Sequence, residues 1–334
     1  MKQRILKLVP LKIKTLLRFV KYLKGIISNY FYDAFRYVIY SSIIMDKDSD
    51  EKRLEAMIIK RYHVIEKGLS FPDTRLGFGK IAIIELLNFL EIYKKNNFNI
   101  ENLSYQSALG SVDEYINFHD TNRFEIEEVI KRYTNINKKH KFNCGGTKEL
   151  TKDKILNNSQ ANFEQFSKYR FSIRDFTEED VNIALLTRAI NISTKTPSAC
   201  NRQTVRVIIV KDKNLIIEAF NIQSGNRGFG HKANKLLIIT SDLSYYNGIK
   251  ERSQSYVDGG MFAMSLLYSL HYLGLGACTL NWAYSFKQDL KLRKIIGIEK
   301  TENIILMIIV GHLKNQFKVP ISSRKKVEDI IYIK

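Results

Sequence analysis

The spacing of apolar residues changes character near residue 161, and that change most limits what this chain can fold into. Before it, residues 54–63, 81–94 and 124–133 place apolar side chains three and four apart with charges between them, which predicts amphipathic helices. Beyond it, short β-branched runs alternate with helical ones. Residues 205–211 and 236–240 read as strands, 278–282 and 304–310 as further short apolar elements, and 258–273 as a long apolar helix. Thr177, with an acid three residues on, has the capping-box arrangement and predicts a helix running through Ile190. Strands separated by helices predict an α+β or α/β sandwich with a helical region in front of it. Residues 68–79 carry Pro72 and three glycines and read as a loop. Residues 134–160 are polar and turn-rich and read as a linker. The expected division is 1–45, 46–160 and 161–334.

A chain of 334 residues with 45% hydrophobic composition holds enough apolar side chain for a sizeable core. No run of 18 uncharged apolar residues occurs, so no membrane-spanning helix is expected. Charges interrupt the N-terminal stretch at Lys12, Lys14, Arg18, Lys21 and Lys24, which argues against a secretory signal. Cys144, Cys200 and Cys278 are widely spaced and lack metal-ligand spacing, so no metal is expected and a reduced, cytoplasmic setting fits.

The formal charge of +19 asks for an anionic partner or is plain composition. Residues 1–45 carry nine basic residues against one acid, Asp33. On a helical wheel Leu16, Val20, Leu23 and Ile27 share a face, with Lys14, Arg18 and Lys21 on a flank, and Pro10 suits the first turn. Such a helix either lies peripherally on an anionic membrane or packs its stripe against protein. Nucleic-acid binding through the charge lacks a recognisable module.

Four short segments carry candidate chemistry. Arg170, Ser172 and Arg174 put two guanidiniums and a hydroxyl within five residues, enough to hold a phosphate and a carbonyl-like acceptor. Pro197 and Ser198 set a turn, after which Asn201 and Gln203 offer amides with donor and acceptor together. Gly274 and Gly276 let backbone approach a flat ligand, with the N–H groups of Leu280 and Asn281 beyond them. Ser322 to Lys326, with Arg324 at its centre, is a positive cluster after Pro320. Each has a bland counterpart: a surface turn, an Asx turn, a helix C-cap, a solvated tail. His63, Glu66 and Lys67 read first as a solvated helix end.

In this order the segments resemble the flavin site of the nitroreductase family, from about residue 163 to the end. The resemblance implies a three-layer α/β/α sandwich with a central mixed sheet. It implies FMN held at its phosphate and ribityl chain by Arg170 and Ser172, at the N1/O2 side by Arg174, and at the phosphate by Arg324. Pro197, Ser198, Asn201 and Gln203 would then meet the pyrimidine edge, and the backbone of Leu280 and Asn281 would meet N5. It also implies a homodimer, NAD(P)H as transient hydride donor, and ping-pong reduction of an electron-poor small-molecule acceptor. A non-catalytic scaffold on the same fold is the rival reading. The chain departs from the family in carrying Thr204-Val205 where Pro-Trp is common, Asn281 where glycine is common, and the 160 residues in front.

Overall fold

A computed structural model describes residues 11–41, 50–137 and 144–334. Pro10 and the side chains of Lys14, Leu16, Arg18 and Lys21, named above, lie outside the described residues. The first helix, α1 (Leu11–Tyr40), is followed by α2 (Glu51–Leu69), α3 (Lys80–Lys95), α4 (Leu103–Thr121) and α5 (Glu127–Ile136). Asp50 caps α2 by accepting from the Arg53 N–H, and Asn102 caps α4 by accepting from Ser104. Leu54, Ile58, Tyr62, Ile65 and Leu69 recur every three or four residues along α2 and are buried. They meet Ile83, Leu86, Leu87 and Leu90 of α3 in one hydrophobic core, which α4 and α5 complete. Helix α4 is the element the spacing did not announce. Its buried positions include Ser104, Ser107, Ser111 and Ala108, small residues that carry little periodic signal.

The stretch expected as a linker is structured. Thr147–Thr151 forms β1, followed by α6 (Lys152–Asn158). Strand β1 pairs antiparallel with β6 (Gln316–Pro320), from Thr147 opposite Pro320 to Thr151 opposite Gln316. This ladder ties the chain just after the helical region to its C-terminal part, a long-range pairing that local composition does not encode.

The C-terminal region is the expected α/β sandwich. Helices α7 (Phe163–Lys168) and α8 (Ile183–Ser193) precede β2 (Val205–Val210), α9 (Lys213–Ile222), β3 (Lys235–Asp242), α10 (Gln254–Tyr272), β4 (Leu275–Asn281), α11 (Phe286–Ile296) and β5 (Glu302–His312). The central sheet has the order β2-β3-β5-β4, with antiparallel ladders throughout. A parallel bridge from Ser172 to Ala277 on the outer edge of β4 makes it mixed. Successive side chains of a strand point to opposite faces. Accordingly Leu236 and Ile238 join the core under α9 and α11, while Leu237 and Ile239 join the core under α8 and α10.

The N-cap of α8 is Asn182, which accepts from the Ala184 N–H, not Thr177 as the capping-box spacing suggested. Thr177 is drawn elsewhere, because its N–H donates to the His312 carbonyl at 3.0 Å beside the Phe176–Leu313 bridge. Helix α1 touches the rest of the chain near its C-terminal end, where the Ile39 carbonyl accepts from Arg53 of α2 at 2.7 Å, and along its middle. Asp33 accepts from Arg252 at 2.6 and 2.9 Å, and Gly25 faces Ile249. Val20, Leu23 and Ile27 of the predicted stripe are exposed, so the chain does not bury them against its own helices.

Candidate functional site

The outer edge of β4 organises the site. The Ile173 N–H donates to the Ala277 carbonyl at 3.0 Å, which lays the segment from Arg170 to Arg174 along the strand. Gly274 ends α10 at φ +74°, a conformation glycine adopts without penalty, and turns the chain directly into β4. The segment after β6 returns to the same place, with Ser322 in the left-handed region at φ +49°.

These pieces enclose a cavity of about 790 Å³. Arg170, Ser172, Arg174 and Arg324 all line it, as expected from the sequence. So do Thr279 of β4, Met264 and Tyr268 of α10, Lys148 of β1, and Ile59, Tyr62 and His63 of α2. Among the described residues no aspartate or glutamate lines it, while Lys148, Lys168, Arg170, Arg174 and Arg324 do. Lys168 is paired with the exposed Glu164 at 2.6 Å, and Lys148 lies over the Phe171 ring at 4.2 Å.

Among the described residues that line the cavity, Arg174 is the cation with a buried, unpartnered nitrogen. It is 9% exposed, its Nε has no hydrogen-bond partner, and its only side-chain hydrogen bond runs to the Ser172 carbonyl at 3.3 Å. It stacks over Phe229 at 5.7 Å, and Lys67 approaches the same ring at 5.9 Å. Burial pushes the Lys67 ammonium's pKa down, and the neighbouring Arg174 charge pushes it further. Burial also raises the Cys278 thiol, against the pull of Arg174, Lys67 and Arg170. A buried donor-rich guanidinium beside a second, half-buried cation is a receptor for negative charge.

The remaining expected residues are arranged differently. Leu280 is buried in β4, and Asn281 is exposed at its end, its carbonyl accepting from Gln223 at 3.2 Å. Pro197, Ser198, Asn201 and Gln203 do not line the cavity. Their segment is anchored near the start of α10, where Asp258 accepts from the Ala199 N–H at 3.3 Å. Met264 and Tyr268 of the cavity lie six and ten residues further on, roughly 9–15 Å along the helix. Asn201 and Gln203 are exposed and, with Cys200, hold positive φ of 50–54°. Three non-glycine residues in that region within four positions mark a loop held in a costly shape. Ser198 Oγ accepts from the Gln203 N–H and helps fix it.

The sequence reading undervalued the end of α2. Glu66 is fully buried, not solvated, and Lys67 reaches the carbonyl of Gly225 at 3.3 Å. The available signal was their spacing with His63, at i, i+3 and i+4, which sets all three on one helix face.

Residues 168–312 match the model of the Nitroreductase family, fewer than half of the chain, and the helical region lies outside that match. Among solved structures, a nitroreductase family protein from Clostridium novyi NT is 14% identical over 46% of this chain and 87% of that one, with a TM-score of 0.42. An FMN-dependent nitroreductase from Clostridium difficile R20291 is 22% identical over 43% and 83%, at a TM-score of 0.38. A protein from Desulfovibrio desulfuricans solved in complex with FMN is 20% identical over 52% and 98%, at 0.45. Comparison with curated proteins gave no match.

Proposed function

We propose that this chain is an FMN-dependent oxidoreductase that takes hydride from NAD(P)H and delivers it to an electron-poor small-molecule acceptor. The family match over residues 168–312 supports flavin-dependent oxidoreductase chemistry in general terms. The observation that carries the cofactor assignment is the cavity beside β4, lined by Arg170, Arg174 and Arg324 without a carboxylate, with the buried Nε of Arg174 unpartnered. Bound FMN would supply the hydride chemistry. The chain's own residues bind and orient it. Arg170, Ser172 and Arg324 are suited to a phosphate and a ribityl chain, and Arg174 to the side of the ring that gains negative charge on reduction.

In this reading the functional unit is a homodimer. Asn201 and Gln203 lie away from their own chain's cavity, and a second copy would bring its Pro197 to Gln203 segment to the pyrimidine edge. Helix α10 presents Tyr256, Val257, Met261 and Met264 to solvent in the single chain, an apolar face suited to such an interface.

The absorption spectrum of the purified protein, followed by anaerobic bleaching with NAD(P)H, tests the cofactor. Arg170→Ala and Arg324→Ala should each weaken FMN by about tenfold to a hundredfold. Unchanged affinity in both would refute the site. Steady NAD(P)H oxidation with an acceptor separates an enzyme from a scaffold that holds flavin without turnover.

A peripheral membrane association has its own observation. Helix α1 holds Val20, Leu23 and Ile27 outward while its one acid, Asp33, is turned inward and paired with Arg252. Among the described residues no helix is long and apolar enough to cross a membrane. The helix is suited to lie on an anionic surface, where each basic residue contributes about 1 kcal/mol.

A further inference from the structure

Helix α2 lies outside the family match, yet it forms one wall of the cavity through Ile59, Tyr62 and His63. The opposite rim, the segment that carries Arg324, is fastened to the same helical region. The Ile321 N–H donates to the Gly146 carbonyl at 2.9 Å, and Ser107 Oγ of α4 donates to Ser323 Oγ at 2.9 Å. Lys325 lies 3.5 Å from Glu55 of α2.

Glu66 stands at the centre of this contact. It is 0% exposed and neither of its oxygens has a hydrogen-bond partner of normal geometry. Its neighbours are the His63 Nδ1, 3.5 Å from Oε2, and the backbone N–H of Ser322. Burial raises the Glu66 pKa, and His63 and Ser322 pull it back down. A carboxylate so placed is costly unless a cation answers it. The imidazole of His63, half-exposed on the cavity wall, is the basic side chain that faces it. With Nδ1 turned to Glu66, Nε2 is the ring nitrogen left to face a ligand, the arrangement by which a carboxylate orients an imidazole.

We propose that His63 is a ligand-binding residue for the phosphate monoester of the flavin nucleotide, with Glu66 as its positioning residue. The helical region is then a built part of the cofactor site. This rests on the flavin reading above and adds a contact that the matched family region does not contain. Every other charged group lining the cavity is a fixed cation: Lys148, Lys168, Arg170, Arg174 and Arg324. Glu66 lies behind the ring, 3.5 Å from Nδ1, and sets the direction in which the other nitrogen faces them.

The test uses the full-length protein, freed of flavin, as parent, His63→Ala, His63→Gln and Glu66→Gln. Each is titrated with FMN and with riboflavin, which lacks the phosphate, by flavin fluorescence. Inorganic phosphate is then added as competitor. His63→Ala and Glu66→Gln should weaken FMN by about tenfold or more while changing riboflavin by less than about twofold. His63→Gln, which keeps a donor, should recover part of the loss. The parent should lose FMN to inorganic phosphate at lower concentration than it loses riboflavin. If the parent binds FMN and the variants keep its FMN-to-riboflavin ratio, or lose both flavins equally, this assignment is overturned while the cofactor reading stands. If the parent binds neither flavin, both fall. Circular dichroism identifies a variant that fails to fold, and the ratio is then read from His63→Gln.

Discussion

Replacing Arg174 with methionine should stabilise the flavin-free protein and cripple its hold on FMN. The guanidinium is 9% exposed with an unpartnered Nε, and leaving a buried donor unmade costs about 1–3 kcal/mol. Lys67 shares the Phe229 ring with it, so two cations are held together in a partly dehydrated place. Against these stand a weak hydrogen bond to Ser172 at 3.3 Å and the stacking on Phe229, the latter worth about 0.5–2 kcal/mol. Methionine fills similar volume and keeps contact with the ring. The balance is a gain of roughly 1 kcal/mol, or about 1–2 °C in Tm for a protein of this length. The same change removes a charge-assisted contact to the flavin and should weaken FMN by about tenfold to a hundredfold. Differential scanning fluorimetry with and without FMN reads both numbers in one experiment. The variant should start higher than the parent and shift less on adding FMN. A variant that melts several degrees lower without flavin, and binds FMN as tightly as the parent, would refute the view of Arg174 as a cation kept for its ligand.

Four further outcomes follow from particular residues. Burial, with the Arg170 charge adding to it, brings the His271 pKa down to about 4. The unfolded chain takes up a proton near pH 6.5 that the fold refuses until about 4, so this share of stability is complete above 6.5 and is lost as pH falls through that window. Unfolding free energies from urea at pH 7 and 4.5 should differ by roughly 2 kcal/mol more in the parent than in His271→Leu. Gly145→Ala should cost about 2–5 kcal/mol in urea unfolding, because φ is +77° and a Cβ would stand 1.9 Å from the Ser107 carbonyl oxygen, a backbone atom. Val257→Glu together with Met261→Glu should turn a dimer into a monomer by light scattering, and a parent that is itself monomeric with reducible flavin would sink the dimer. Full-length protein should co-sediment with anionic but not neutral liposomes in a salt-sensitive way, and deletion of residues 1–30 should abolish this; equal behaviour of the two would leave α1 as a protein-packing helix.

The sandwich was legible in the chain because its strands carry dense β-branched runs, as in residues 205–210 and 236–240, and its helices a regular apolar period. Arg170, Ser172, Arg174 and Arg324 were legible as candidates because their chemistry is local: cations and a hydroxyl in two short segments. Their convergence is implied by the family resemblance and not by any local pattern. It depends on the Ser172–Ala277 bridge, the β1–β6 ladder and the return of Ser322 to the same edge, all pairings between residues distant along the chain. The same holds for what the sequence reading misjudged. Thr177 has a capping spacing, but its N–H is committed to His312, a residue 135 positions away. Glu66 looks solvated in a charged helix end, and the packing of other elements on α2, the Ser322 segment among them, buries it. Residue type and period set which elements form and which groups can do chemistry. Burial and proximity are properties of the assembled surface, so whether Glu66 is dehydrated, or whether Asn201 meets its own chain's cavity, was decided by tertiary structure alone.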